Sequence, residues 1–140
     1  MDFQDFNRSV IEEFRANQGV VAGRIVGDHL AEAPLLLLHT VGAKTGETRI
    51  NPLAYLADNE RFIVFASYAG ASSNPPWYYN LITNPSVVVE VGTERFDATA
   101  SVLDEPERTS LYRTMAERLP MFADYESKTP RVIPAIALTR

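Results

Sequence analysis

The chain has 140 residues, of which 46% are hydrophobic and 22% are charged, and this size and composition predict one folded domain. Its 18 acidic and 13 basic residues give a formal net charge of -5, which excludes the broadly positive surface that binds a nucleic-acid backbone. With no cysteine and 2 histidines, disulfides, thiolate nucleophiles, zinc–cysteine sites and histidine-rich metal centres are excluded. We therefore expect neither a metal nor a nucleic-acid partner.

Residues 1–18 are predicted to form an amphipathic helix, because apolar side chains recur at helical spacing: Phe3, Phe6, Val10 and Phe14. Glycines interrupt this pattern in residues 19–34, which are predicted to be an irregular connector. The start of the chain is acidic, unlike a signal peptide, and the longest aliphatic run, residues 35–38, is far shorter than a membrane span. We expect a cytoplasmic protein. Contact of the helix with a membrane surface, and a homodimer, are left open.

From residue 35 onward, short β-rich runs alternate with turn residues. The runs are 35–40, 50–57, 61–67, 86–91, 95–103 and 132–139. Residues 58–60 and 92–94 are short enough to form hairpin turns. Strands spaced this closely pair antiparallel, so the sequence predicts an α+β domain, mainly β, with a barrel or sandwich of about six strands.

Two helical segments interrupt the strands. Asn74 is predicted to cap a short helix that is entered through two prolines and ends before Asn84. Residues 104–107 supply a capping acceptor, a proline in the first turn and a glutamate, so they are predicted to open a helix that runs to about Leu119.

The densest polar sequence, residues 39–49, lies between the first two strands. It combines turn-forming glycines, threonine hydroxyls and the cations Lys44 and Arg49, which together can hold a phosphate or carboxylate. It is not a nucleotide-binding P-loop, because Ala43 precedes the lysine and a strand follows. A solvated hairpin loop is the alternative. His39 is predicted to be a strand residue facing inward or into the hairpin, since no base partner is visible near it.

Two further stretches are rich in aromatic residues. Residues 67–80 follow a buried strand, and their small side chains let a planar ring approach the backbone, while the aromatic residues could wall a pocket. Core packing is the alternative for these aromatics. In residues 119–125, the Tyr125 hydroxyl could donate a hydrogen bond or a proton to a substrate, or it could simply pack.

Taken together, these stretches resemble the deazaflavin-dependent nitroreductase family, split β-barrel oxidoreductases that use coenzyme F420. The similarity covers almost the whole chain. Its most specific motifs are Gly42-Ala43-Lys44-Thr45-Gly46-Glu47-Thr48-Arg49 followed by Pro52-Leu53, and Pro76-Trp77-Tyr78 followed by Asn80-Leu81 and Asn84-Pro85.

The resemblance implies a coenzyme site. The first motif would hold the phosphate and the acidic glutamate tail, two strand segments would flank the deazaflavin ring and its linker, and the aromatic helix would complete the pocket. The residues assigned to the coenzyme in this way are Ala43, Lys44, Thr45, Arg49, Ile50, Asn51, Pro52, Leu53, Ala54, Phe65, Ala66, Ser67, Tyr68, Pro76, Trp77, Tyr78, Tyr79 and Asn80. Tyr125 and Ser67 are assigned as catalytic residues.

The chain departs from the family pattern at two places. Tyr68 and Ala69 stand where many relatives have a lysine or asparagine followed by glycine, which changes one polar contact to the coenzyme. The nitroimidazole-reducing member of the family has tyrosines at the positions that match Leu119, Phe122 and Tyr125, and only Tyr125 is retained here.

The resemblance implies hydride transfer from reduced coenzyme F420 to a small organic acceptor: a quinone, an enone or a nitroaromatic. The protein would supply orientation, a dry pocket and one proton. Two alternatives stay open. One is an FMN-dependent oxidoreductase on the same type of barrel, and the other is a carrier that binds deazaflavin or a fatty acid without turnover.

Overall fold

The structure, a computed structural model, describes residues 3–16 and 34–140; the predicted connector 19–34, apart from its last residue, lies outside them. The helices of the described residues are α1 (Phe3–Ala16), α2 (Pro76–Thr83), α3 (Glu107–Arg118) and α4 (Met121–Lys128). The strands are β1 (Leu35–Val41), β2 (Thr48–Ala54), β3 (Leu56–Asp58), β4 (Arg61–Phe65), β5 (Ser86–Val91), β6 (Glu94–Val102) and β7 (Ala135–Thr139). A short 3-10 turn, Tyr68–Gly70, follows β4.

The described strands form one sheet in the order β2-β1-β5-β6-β7-β4-β3, and every pair in it is antiparallel. The predicted antiparallel, mainly β fold is confirmed, with 7 strands in place of about six. The extra strand arises because the predicted run 50–57 is broken at Tyr55. There the chain changes its pairing partner, because Thr48–Ala54 pairs with β1 whereas Leu56–Asp58 pairs with β4.

The curved sheet has an inner core on one face and two smaller cores on the other. The inner core contains Leu36, Leu38, Val64, Trp77, Leu81, Val89, Ile136 and Leu138. On the outer face, α3 and α4 cover the β4 and β7 end, where Phe65, Tyr112 and Phe122 pack together. Because helices cover one face and the inner core fills the other, β1 is buried almost throughout, which explains its unbroken apolar run.

Helix α1 packs on the outer face of the sheet. Val10 and Phe14 are buried against Leu35 and Leu37 of β1. Burying a side chain of this size contributes about 1.5–3 kcal/mol, so these contacts stabilise the packing of the helix on the sheet. None of the helices that the structure describes is long and apolar enough to cross a membrane.

Two helix starts differ from the sequence predictions. Asn74 does not cap α2: Pro75 occupies the cap position, and the Asn74 side chain instead accepts a hydrogen bond from Arg131 at 2.6 Å. At α3, the acceptor is the carboxylate of Glu105, which receives the backbone N–H of Thr109 at 2.9 Å. Helix α4 was not predicted as a separate element, because residues 119–125 were interpreted only through the Tyr125 hydroxyl, as a donor or as packing.

Candidate functional site

The polar loop between β1 and β2 is closed by its own hydrogen bonds. The Gly42 N–H donates to the carbonyl of Glu47 at 2.7 Å, and the Gly46 N–H donates back to the carbonyl of Gly42 at 2.9 Å. Gly46 has a positive φ of 74°, and a Cβ on Gly42 would lie 2.8 Å from the Thr45 hydroxyl oxygen. Gly46 is therefore favoured by its backbone conformation and Gly42 by the close approach of Thr45, and the closed loop presents the exposed residues 43–45.

Asn80 of α2 fastens this loop to the body of the protein. Its side-chain oxygen accepts the Ala43 N–H at 2.9 Å, and its amide nitrogen donates to the Thr40 hydroxyl at 3.1 Å. The Asn80 side chain is buried. The Ala43 N–H and the Asn80 side-chain oxygen are paired with each other and so position the loop, while the assignment of both residues to the coenzyme stays a prediction.

Two cations of the loop region are exposed. Arg49 lies opposite Thr40 in the strand register, and therefore on the face of β2 that is turned toward α2. Its guanidinium contacts the Glu47 carboxylate at 3.2 Å, and both side chains are more than half exposed. Lys44 makes no ion pair with any residue that the structure describes. An anion that binds here can form an ion pair with Lys44 directly, but it must compete with the Glu47 carboxylate for Arg49.

The β2 segment assigned to the coenzyme ring is divided between two faces. Since side chains alternate along a strand, Asn51 and Leu53 share the face of Arg49, and Leu53 packs at the edge of the inner core. Ile50 and Ala54 pack on the opposite side against the core beneath α1. Pro52 shares that side with them. The five residues predicted to contact the coenzyme ring thus lie on two sides of the strand, and their assignment to the coenzyme stays a prediction.

The chain turns sharply after β4. Ser67 has right-handed helical angles, whereas Tyr68 and Ala69 have positive φ values of 48° and 53°, and Gly70 follows at 82°. A right-handed residue followed by a left-handed one turns successive N–H groups toward the same concave side, which is a common site for an anionic or carbonyl oxygen. Within the described residues, no backbone or side-chain group accepts a hydrogen bond from the N–H of Ser67, Tyr68 or Ala69.

The turn is tied down by Arg131, a residue that sequence reasoning missed. The Arg131 guanidinium donates to the carbonyls of Ala66 (3.0 Å), Ser67 (2.9 Å) and Ala71 (3.0 Å), and to the Asn74 side chain (2.6 Å). Arg131 lies 57 to 65 positions away from these acceptors along the chain, so local sequence patterns carry no signal for the contact.

Helix α4 places Tyr125 directly against this turn. A Cβ on Gly70 would lie 3.0 Å from the backbone oxygen of Tyr125, so only glycine allows the helix to approach this closely. The Tyr125 hydroxyl has one weak acceptor, the Met121 sulfur at 3.4 Å. Burial, together with the nearby Asp124 carboxylate, raises the pKa of Tyr125. The hydroxyl is therefore protonated near neutral pH and can donate to a bound molecule.

The remaining predicted ring contacts differ in their exposure. Phe65 and Trp77 are both buried in hydrophobic cores, Phe65 on the outer face and Trp77 on the inner one. Tyr78 packs at the edge of the inner core, and Tyr79 is half exposed, with the two rings meeting edge to face at 5.4 Å. The structure thus leaves Tyr78 and Tyr79 as the aromatic side chains of α2 that a ligand can reach.

Leu119 and Phe122, which stand where a family member has tyrosines, are both buried. Phe122 meets the Phe65 ring edge to face at 6.0 Å, and its carbonyl accepts the Tyr112 hydroxyl at 2.6 Å. These positions therefore build the outer core here. Of the three, only Tyr125 offers a hydroxyl.

His39 has a partner that the sequence did not reveal. Its Nε2 lies 2.5 Å from the Glu90 carboxylate, which Arg15 of α1 also contacts at 2.8 Å. The hydrogen bond from Arg15, with a second from His39, holds the pKa of Glu90 below its usual value. This cluster, in which His39 is buried and Arg15 is exposed, joins α1 to the outer face of the sheet, away from the predicted coenzyme residues.

An open groove of about 640 Å³ also lies on the outer face of the sheet, between His39, Ser86, Asp97 and Arg140. None of the predicted coenzyme residues lines it. We therefore place the candidate site on the chemistry of the two loops rather than in this groove. Within residues 3–16 and 34–140, no group of three or more His, Asp or Glu side chains could hold a metal ion.

Comparison with known proteins identifies the family. Residues 7–140 match the model of the F420H(2)-dependent quinone reductase family. An F420H(2)-dependent quinone reductase of Mycobacterium tuberculosis (strain ATCC 25618 / H37Rv) is 37% identical over 130 residues, which cover 91% of this chain and 85% of that protein.

Two solved structures are similar at comparable identity. One, an F420-H2 dependent reductase (FDR-A), superposes with a TM-score of 0.69 at 36% identity, covering 75% of this chain and 93% of that one. The other, described as a domain-swapped dimer, has a TM-score of 0.70 at 33% identity and covers 98% and 99% of the two chains. The predicted split β-barrel and the predicted family are thereby confirmed, and the chain belongs to the F420H(2)-dependent quinone reductase family.

Proposed function

We propose that the protein transfers a hydride from reduced coenzyme F420 to a quinone. The observation that carries the proposal is the pair of loops joined through α2: an exposed cationic loop that Asn80 fixes, and a turn after β4 with unpaired N–H donors. The family identifies the coenzyme as F420, and the two loops provide polar groups that can bind its two ends.

The cationic loop fits the acidic end of the coenzyme. Lys44, Arg49 and the Thr45 hydroxyl can pair with a phosphate and with carboxylates, each as a charge-assisted hydrogen bond. Because these side chains are exposed, the attraction is screened by salt and acts mainly at short range.

The turn after β4 fits the polar edge of a planar ring. The N–H groups of Ser67 and Tyr68 can donate to a ring carbonyl, while Leu53 and Tyr78 can cover the ring with apolar surface. When bound, the reduced deazaflavin supplies a hydride from its ring carbon. The protein's contribution is to hold the ring, exclude water and keep a proton ready on the neutral Tyr125 hydroxyl.

The reaction is tested by mixing the purified protein with reduced coenzyme F420 and a quinone under anaerobic conditions. We expect oxidation of the coenzyme that depends on both the protein and the quinone. Tight binding of the coenzyme without accelerated oxidation would instead identify a carrier. Turnover with reduced FMN, and none with reduced F420, would identify a flavin enzyme on the same fold. Enone and nitroaromatic panels then define the range of acceptors.

We further propose a homodimer, for which the solved structure described as a domain-swapped dimer is the support. Light scattering during size-exclusion chromatography tests it, with twice the 15.6 kDa chain mass expected for a dimer. Contact of α1 with a membrane is not proposed, because Val10 and Phe14 are already buried against the sheet.

A further inference from the structure

We propose that Arg131 is a positioning residue for the coenzyme ring: it aims the N–H groups of Ser67 and Tyr68 at the ligand by holding the carbonyls on the opposite side of the same peptides. This inference rests on the proposed function, since it assigns the turn to the coenzyme. It adds a residue that is not a neighbour in the sequence of any predicted site residue.

The argument begins with the geometry of the peptide bond. In a trans peptide the carbonyl and the following N–H point in opposite directions. One nitrogen of Arg131, Nη2, binds the carbonyls of Ala66 and Ser67 at 3.0 and 2.9 Å. The N–H groups of those two peptides, which belong to Ser67 and Tyr68, must therefore point away from Arg131, toward the concave side of the turn.

The turn needs such support because its backbone is strained. Tyr68 and Ala69 are consecutive non-glycine residues with positive φ, an unfavourable conformation that persists only when surrounding contacts enforce it. Arg131 also binds the carbonyl of Ala71 and the side chain of Asn74, so it grips the segment on both sides of the strained residues. A planar guanidinium can make these bonds at once, whereas a lysine ammonium cannot reproduce their fixed geometry.

A positive group on the carbonyl side also strengthens the donors. Hydrogen bonding to a peptide carbonyl polarises the peptide and makes its N–H a better donor to a bound oxygen. Arg131 thus both orients and polarises the Ser67 and Tyr68 amides without touching the coenzyme.

The test compares Arg131 with a matched arginine. Arg108 is buried, donates to the carbonyl of Ile133 at 3.0 Å and contacts Glu105, but makes no hydrogen bond to residues 66–74. Arg131→Met and Arg108→Met each remove a guanidinium that binds backbone carbonyl oxygen, and both should lower the free energy of unfolding. Arg131→Lys and Arg108→Lys serve as milder variants that keep the charge in case the methionine variants do not fold.

The first measurement uses binding of oxidised coenzyme F420, followed by its fluorescence. The same titration is repeated with the deazaflavin chromophore that lacks the phosphate and glutamate tail. Arg131→Met should weaken both by at least tenfold and by similar factors, because the lost contact is at the ring. Arg131→Lys should lie between it and the wild type. The Arg108 variants should bind within twofold of the wild type.

The second measurement uses the protein without coenzyme. Amide hydrogen exchange at Gly70 and Ala71, whose N–H groups close the turn, should accelerate in Arg131→Lys more than in Arg108→Lys at equal global stability. Equal losses of affinity and equal amide exchange rates in the Arg131 and Arg108 variants would make Arg131 a purely structural residue. That result would overturn this inference and leave the proposed function standing. If the wild type binds neither the coenzyme nor the chromophore, the proposed function fails, and the inference fails with it.

Discussion

Replacing Asn80 by alanine should uncouple the cationic loop from α2. The substitution removes the hydrogen bonds to Ala43 and Thr40 and leaves the Ala43 N–H without its partner. Each such bond contributes about 0.5–1.5 kcal/mol net, so the free energy of unfolding should fall by about 1–3 kcal/mol. Because the loop then samples other conformations, coenzyme affinity should also fall. We expect a loss of roughly three- to tenfold for the full coenzyme and a smaller loss for the chromophore without its tail.

A second variant separates loop position from charge. Asn80→Asp can still accept the Ala43 N–H, and the Thr40 hydroxyl can turn to donate to it, so the loop should stay attached to α2 although burial of the charge lowers stability. Its carboxylate would repel the phosphate, so affinity should fall more, and more steeply at low salt. Urea unfolding and fluorescence titration measure both quantities, with Thr83→Ala on the same helix as control. Unfolding free energies and affinities equal to those of the control in both variants would refute the role of Asn80 as a loop clamp.

Lys44→Ala and Arg49→Ala should each weaken coenzyme binding by about 1–3 kcal/mol, with less effect on the chromophore that lacks the tail; salt-independent affinity, unchanged in both variants, would place the tail elsewhere. Glu47→Gln should tighten binding by roughly two- to fivefold, since an exposed ion pair contributes about 0–1 kcal/mol and here competes for the arginine; weaker binding would show that the glutamate supports the site. Tyr125→Phe should slow turnover by roughly two- to tenfold and leave coenzyme affinity unchanged. Because the pKa of the tyrosine is raised, the ratio of the two rates should stay constant from about pH 6 to about pH 9. Glu90→Gln should reduce stability at neutral pH. Because folding lowers the pKa of Glu90, its carboxylate adds to the free energy of unfolding at pH values above its pKa in the unfolded chain, and this stabilisation is lost on acidification. The difference in unfolding free energy between wild type and variant should therefore narrow from about pH 6 to about pH 3 in urea unfolding.

The antiparallel fold could be predicted because its signals are local. Period-2 alternation, two hairpin turns and proline-bounded helices occur within short windows of sequence, and β5 begins and ends where the pattern indicated. Helix α4 was missed because its helical face is short and its aromatic residues suit a pocket equally well. The predicted run 50–57 is divided at Tyr55 because its two parts pair with different strands, β1 and β4, and no local pattern contains that information.

The candidate site was predicted less completely, because its geometry depends on contacts between distant residues. The cations and glycines of the loop stand together in the sequence and could be recognised there. The hydrogen bonds between Asn80 and the loop and between Arg131 and the turn join residues that are far apart in the chain. The sequence assigned the whole segment 50–54 to the coenzyme, and only the packing beneath α1 shows that Ile50 and Ala54 lie on the side away from Arg49.

Single-turnover mixing tests the central claim most directly. The protein is loaded with reduced coenzyme F420 in the absence of oxygen and mixed with an excess of quinone, while the absorbance of the oxidised coenzyme is followed. The account predicts one equivalent of coenzyme oxidised per site, much faster than without protein, and a slower phase in Tyr125→Phe. A coenzyme that stays reduced for as long in the protein as in buffer, despite saturating occupancy, would contradict it.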